Sequence, residues 1–265
     1  MFSPETLKAR FNPEGSLLRR HQLRMTDMLV EIDRICRKHH LAYWLGSGTL
    51  IGAVRHQGFI PWDDDLDIEM TERDYRKLLR ILPQELPPHL ALQSQDTDPN
   101  YLFFYAKIRD RRSLLEENNH YDKLWKEQGI YIDVFPIHRQ TIWLHKLSEA
   151  AFGHTYKILR CGGSEGKGLW KARLIKNVCR YGVFPMLKAL GWLFGRYTTY
   201  AYGIPYHSPR PYDQIFPLKT LDFEGHSFPV PNDYDSLLRS IYGNYMELPN
   251  LDKLDLHVER LTIDD

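Results

Sequence analysis

PWDDDLDIEM, residues 61–70, decides how this chain is read. Four aspartates and a glutamate fall within residues 63–69, yet Trp62, Leu66, Ile68 and Met70 give the stretch enough apolar surface for a core. If 63–69 is extended, side chains alternate between two faces. Asp63, Asp65, Asp67 and Glu69 then share one face, and Asp64, Leu66, Ile68 and Met70 share the other. Acidic neighbours would stand about 6.5–7 Å apart and repel by about 2–3 kcal/mol at an effective dielectric near 20. A divalent cation relieves that repulsion directly, and hard carboxylate oxygens suit Mg²⁺ or Mn²⁺. The competing reading is a solvated acidic edge strand. The apolar opposite face, the period of two and a glycine-serine turn just upstream favour the cation.

That turn lies in LGSGTLIGAVRH, residues 45–56. Gly46 and Gly48 allow close approach of backbone to a ligand. Ser47 or Thr49 is expected to cap a helix whose free N–H groups and dipole favour an anion. Arg55 and His56, at the end of that helix, are placed to meet phosphate oxygens. A third carboxylate, Asp133, is a lone charge in GIYIDVFPI, residues 129–137. Buried, it needs a partner: either a basic side chain or a metal shared with Asp65 and Asp67, if its strand lies beside theirs. In YAKIRDRRS, Lys107 and Arg109 share one strand face and are candidates to neutralise phosphates, or simply a solvated strand end.

These stretches resemble a known family. GSGTLIGAVRHQGFIPWDDDLDIEM (46–70) is similar to the signature of the LicD family, GIYIDVFPI to its second acidic block, and FEGHSFPVPNDYDSLLRSIYGNYMELP (223–249) to its closing segment. The resemblance implies a nucleotidyltransferase-superfamily fold, a mixed sheet flanked by helices. It also implies transfer of a phospho-alcohol, typically phosphocholine from CDP-choline, onto a cell-surface glycan or its lipid-linked precursor. The fukutin-type enzymes, which transfer ribitol phosphate, are similar in the acidic block. On this reading Asp65, Asp67 and Asp133 are catalytic. With Asp63 they hold Mg²⁺ or Mn²⁺, while Gly46, Ser47, Thr49, Arg55, His56, Lys107 and Arg109 bind the CDP-alcohol donor. Asp133 is a metal ligand or the general base. Tyr43, Trp44, Trp62 or Tyr131 would supply an aromatic cage for a quaternary ammonium. Two other classes share these features: transfer of a nucleoside monophosphate, and a metal-binding scaffold without turnover.

The rest of the chain reads as helices interleaved with strands, an α/β or α+β fold. A helix is expected over 16–40, a strand at 41–45, a capped helix from Thr71, a strand pair from HLALQS and YLFFYAKI, and a hairpin at 221–231 followed by a capped helix. The organisation expected is a catalytic core over 1–140, a helical subdomain over 141–210 and a closing segment over 211–265. Within the subdomain, 168–197 carries Lys171, Arg173, Lys176, Arg180, Lys188 and Arg196 among aromatic residues and no acid. Such a helix is a candidate for peripheral membrane contact, or packs its apolar side in a core. A net charge of +1 gives no general pull toward nucleic acid. Three well-separated cysteines form neither a disulfide framework nor a zinc cluster. No apolar leader or spanning run is visible, so the expectation is a cytoplasmic enzyme working at the inner membrane face.

Overall fold

The computed structural model describes residues 4–118, 121–162, 165–195, 197–252 and 258–263. After α1 (Pro4–Phe11), Ser16 caps α2 (Leu17–Lys38) by accepting from the Arg19 amide. Met25, Met28, Leu29, Ile32 and Ile35 recur at helical spacing and are buried. His40, in the left-handed region at φ 52°, follows the helix end. Then come β1 (Tyr43–Leu45), α3 (Ser47–His56), β2 (Asp67–Thr71) and α4 (Glu72–Glu85). Thr71 caps α4 by accepting from the Asp74 amide, as the capping pattern predicts.

Next are β3 (Leu90–Gln93), β4 (Ala106–Asp110), β5 (Ser113–Glu117) and the long β6 (Tyr131–Gln140). Helices α5 (Ile142–Gly162), α6 (Leu169–Val178) and α7 (Phe184–Phe194) follow, the last two joined by a π turn at Cys179–Val183. The chain continues through β7 (Tyr197–Tyr200), α8 (Tyr212–Ile215), the hairpin β8 (Lys219–Phe223) and β9 (His226–Val230), α9 (Tyr234–Tyr242) and β10 (Val258–Ile263).

The main sheet is mixed, in the order β1-β2-β6-β4-β3, with β7 on the distal half of β6. Within it β2 and β6 run parallel, and the other pairs are antiparallel. A buried cluster gathers α2, β1, α3, β2, β4 and β6 with the C-terminal hairpin. Glu224, at the hairpin turn, fastens that hairpin: it accepts from Arg19 at 2.7 Å and from the Phe59 amide at 3.1 Å.

Two departures from the sequence reading have clear causes. Tyr101–Phe104 is not a strand. Tyr101, Leu102 and Phe103 are all buried in a second cluster with α5, α6 and α7, and Phe104 packs on Phe152 with ring centres 5.0 Å apart. A strand packed on one face buries only alternate side chains, whereas this run is enclosed by helices. Two strand pairings were also unexpected. The four residues of β7 join β6, and β10 pairs with β5, both across long sequence separations.

Ile132, fully buried on β6, pairs with Ile108 at the middle of the sheet. Ile132→Ala should cost about 2–5 kcal/mol, read from the urea midpoint. A loss within 1 kcal/mol would contradict the placement of this core.

Candidate functional site

The acidic stretch is strand only from Asp67 onward; residues 63–66 are coil. The cause lies upstream, where a turn at Pro61–Trp62 is closed by the Asp63 amide donating to Ile60 O at 2.9 Å. Gln22 of α2 donates to Asp63 O at 2.9 Å and holds the coil in place. Burial nevertheless alternates. Asp63, Asp65 and Asp67 are half-buried, while Asp64, Leu66 and Ile68 are buried. Asp64 faces His21, whose imidazole burial drives to a pKa of about 4 despite that nearby charge.

Because β2 and β6 are parallel, Asp67 lies opposite Asp133 in the ladder, and the antiparallel β4 places Lys107 opposite Asp133 on its other side. The result is a row across three strands: Asp67, Asp133, Lys107. Lys107 Nζ is 2.8 Å from Asp133 Oδ1 and lies over the Tyr131 ring, 3.3 Å from its centre. Tyr131 in turn donates its hydroxyl to Asp65 at 3.0 Å. Burial, then the charges of Asp133, Asp65 and Asp63, hold the Asp67 carboxyl well above the usual range. Burial also raises Asp133, against the opposing pull of Lys107. Among the described residues no three acidic, histidine or cysteine side chains are already gathered around one point; the carboxylates form an open row.

The start of α3 is fastened to this row. The Gly46 amide donates to Asp67 O, and the Asp67 amide donates to Thr49 Oγ1 at 2.9 Å. Thr49 therefore spends its hydroxyl on the acidic strand and does not cap the helix. Ser47 does not cap it either. The cap position is Gly46, without a side-chain bond, and Ser47 stands at φ 45° with its hydroxyl 3.1 Å from that of Tyr200. The glycines answer to protein neighbours: a Cβ at Gly46 would stand 2.7 Å from Glu69 Cγ, and one at Gly48 would stand 2.9 Å from Asp63 Oδ2.

Other residues singled out by sequence have different surroundings from those expected. Glu69 leaves the acidic row: Arg210 donates to both its oxygens at 2.9 Å, and Trp44 and Tyr200 donate to it as well. His56 is no cation. Burial, then Arg55, lowers its pKa to about 4, and its Nε2 accepts from Arg55 Nε at 2.9 Å. Arg55 stands near Asp63 but donates to Tyr245 O at 2.6 Å. Arg109 is fully buried, bonded to Gln93 and to Gly129 O, so its charge is committed inside the sheet. Of the aromatic candidates, Tyr43 bonds Asp33 and Trp44 bonds Glu69, both buried. Trp62 packs on Phe11 near α3, and Tyr131 lies beneath Lys107. Sequence reasoning missed Arg210, Tyr200, Tyr206 and Tyr242. The last two feel the Asp67 charge after that of their own burial, and Tyr242 is pushed up to about 12. Arg210, Tyr200 and Tyr206 come from residues 200–210, with no local motif to point at the acidic row, and Tyr242 lies in the closing segment 223–249, where nothing local gave it a part in the site.

Comparison with known proteins gives a family match over residues 40–156, to the LicD/FKTN/FKRP nucleotidyltransferase domain. Over these residues the chain is similar to the LicD family. The match spans β1 to β6 and so contains both acidic blocks. The lipopolysaccharide cholinephosphotransferase LicD of Haemophilus influenzae is 28% identical over 253 residues, covering 88% of this chain and 92% of that protein. An uncharacterised protein of Rickettsia prowazekii is 47% identical over 62 residues, 23% of each chain. Another from Rickettsia typhi is 45% identical over 62 residues, 23% of this chain and 20% of that one.

The raised Asp67 fixes a sign. A carboxyl that titrates higher in the fold than in the unfolded chain, near 3.9, costs stability as pH rises through that window. In the presence of chelator, Asp67→Asn should therefore melt about 2–4 °C higher at pH 7 for each kcal/mol of repulsion removed. The gain should shrink toward pH 4. A lower melting temperature at pH 7 would contradict the repulsive row.

Proposed function

We propose that the chain transfers a phospho-alcohol, phosphocholine before ribitol or glycerol phosphate, from its CDP-alcohol to a hydroxyl of a cell-surface glycan or lipid-linked precursor. The observation that carries this reading is the placement of Asp67 beside Asp133 on parallel strands, with the start of α3 bonded to Asp67. A relative named as a lipopolysaccharide cholinephosphotransferase, matched over 92% of its length, supports the choice of group and acceptor.

The donor set suits a divalent cation. Asp67 and Asp133 are adjacent carboxylates held above their usual range, so the site favours added positive charge. Asp63, Asp65, Asp67 and Asp133 would hold Mg²⁺ or Mn²⁺. Such an ion would draw charge from the donor diphosphate and make CMP a better leaving group.

The chain's own residues do the rest. The first amides of α3 and the Ser47 hydroxyl face the diphosphate, where the helix dipole favours negative charge. Lys107 balances charge at the end of the row. The acceptor hydroxyl attacks the alcohol-bearing phosphorus in line, the bond to the bridging oxygen breaks, and CMP leaves. Asp133, set between Asp67 and Lys107, takes the hydroxyl proton through the oxygen that does not hold the ion. Tyr206, exposed near Asp67, offers an aromatic face to a quaternary ammonium.

With CDP-choline, a glycan acceptor and Mg²⁺, the protein should release CMP and phosphocholinylated glycan. Asp65→Asn and Asp133→Asn should each lower kcat by about 10²–10⁴-fold while melting cooperatively. Pyrophosphate from a nucleoside triphosphate, in place of CMP, would assign the site to nucleotidyl transfer. Undiminished turnover in both variants would remove the carboxylates from the mechanism.

A further inference from the structure

Helices α6 and α7, with the π turn between them, form one continuous rod of about 39 Å at 1.5 Å per residue. One side of the rod is buried. Ala172, Lys176 and Cys179, then Phe184, Leu187 and Gly191, face the protein. The five-residue step from Cys179 to Phe184 is taken up by the π turn, which keeps both halves in register with the body. The other side is apolar and exposed. Trp170, Leu174, Val178 and Tyr181 recur at helical spacing, and Met186 and Leu193, seven residues apart, continue the exposed apolar side along α7 with Trp192 next to them. Trp170 is 65% exposed and Trp192 74%. A contiguous exposed apolar patch of this kind marks an interaction surface.

Charge indicates which partner. Residues 166–212 contain no Asp or Glu. The basic residues within the rod mostly turn toward the body rather than outward: Arg173 bonds Asn100, Arg180 bonds Asp96, Lys188 bonds Glu72, and Lys176 is buried. Arg196 lies outside the described residues. The outward charge comes from α4, whose Arg73, Arg76, Lys77 and Arg80 are all exposed. These four line one concavity with Lys188 of α7 and with Glu72, which pairs with Arg76 and Lys188 and leaves Arg73, Lys77 and Arg80 in excess; Arg76 and Arg80 line another with Tyr181, Glu72 and Asp96. The apolar stripe and the cationic row are therefore neighbours on one surface.

We propose that this surface docks on an anionic phospholipid bilayer. The stripe enters the interface between headgroups and acyl chains, and the α4 cations meet lipid phosphates. A second copy of the chain fits less well, because a two-fold contact sets the same patch against itself and brings like charges together. Among the described residues no helix is long and apolar enough to cross the membrane, so contact is peripheral. Seven residues of β6, about 23 Å of strand, separate Asp133 from Gln140, whose Cα lies 3.5 Å from where a Cβ on Gly191 of α7 would stand. Docking thus leaves the acidic row uncovered. The inference goes beyond the proposed reaction and does not depend on the donor.

The test uses the full chain and vesicles of phosphatidylcholine, alone or mixed with phosphatidylglycerol, in flotation at low and high salt. The wild type should float with the anionic vesicles at low salt and be released at high salt. Trp170→Ser with Trp192→Ser should weaken binding at least about tenfold, and so should Arg73→Glu with Lys77→Glu and Arg80→Glu. Both variants should keep the wild-type melting temperature and transfer to a water-soluble acceptor. The charge variant changes only exposed side chains, so it decides the matter if the tryptophan variant fails to fold. Absence of flotation at low salt, or unchanged flotation of the charge variant, would overturn the proposal. A dimer that is lost in the tryptophan variant, with no vesicle binding, would overturn it in favour of a second copy.

Discussion

The structure depends on one constraint: β2 and β6 run parallel, in a register that sets Asp67 against Asp133. Neighbouring strands are about 4.8 Å apart. Two carboxylates at that spacing repel by about 3–4 kcal/mol at an effective dielectric near 20. The fold tolerates this because Lys107 flanks the pair on the third strand, Tyr131 donates to Asp65, and Asp67 retains its proton more firmly than an ordinary carboxyl. A sheet built only for stability would place valine or isoleucine there. Repulsion left partly uncompensated at one end of a row is what a bound cation would relieve.

Much of the surrounding structure holds that register. The start of α3 is bonded to Asp67 through both its backbone groups, and the Asp133 amide donates to Leu66 O. Glu69, two residues further along the same face, is clamped by Arg210, Trp44 and Tyr200. That clamp joins β1, β2 and the segment after α7. A slip of one residue would turn the acidic face inward and would leave Arg210 buried without its carboxylate, a loss of several kcal/mol. The chain thus uses one acid on this strand for structure and its neighbours for the candidate site.

The sequence revealed the parts whose signal is local. Alternation in PWDDDLDIEM separated Asp64 from Asp63, Asp65 and Asp67, and burial in the structure follows it even through the coil at 63–66. Helical periodicity and capping residues located α2 and α4 to within two or three residues. What stayed hidden depends on distant partners. Alternation grouped Glu69 with the other acids because it cannot see an arginine 141 positions away. Basic letters made His56 and Arg109 look like phosphate ligands, but burial discharges one and commits the other to backbone and glutamine. The aromatic run at 101–104 looked like a strand because nothing in it tells of the helices that enclose it.

The central claim is that the Asp67–Asp133 pair is a cation site and not merely a strained feature of the sheet. Calorimetric titration of the full chain with Mn²⁺ and Mg²⁺ at neutral pH, repeated on Asp67→Asn and Asp133→Asn, tests it most directly. The account predicts saturable binding to the wild type that weakens sharply in either variant while both remain folded. Absence of binding to the wild type, or equal affinity in both variants, would contradict it.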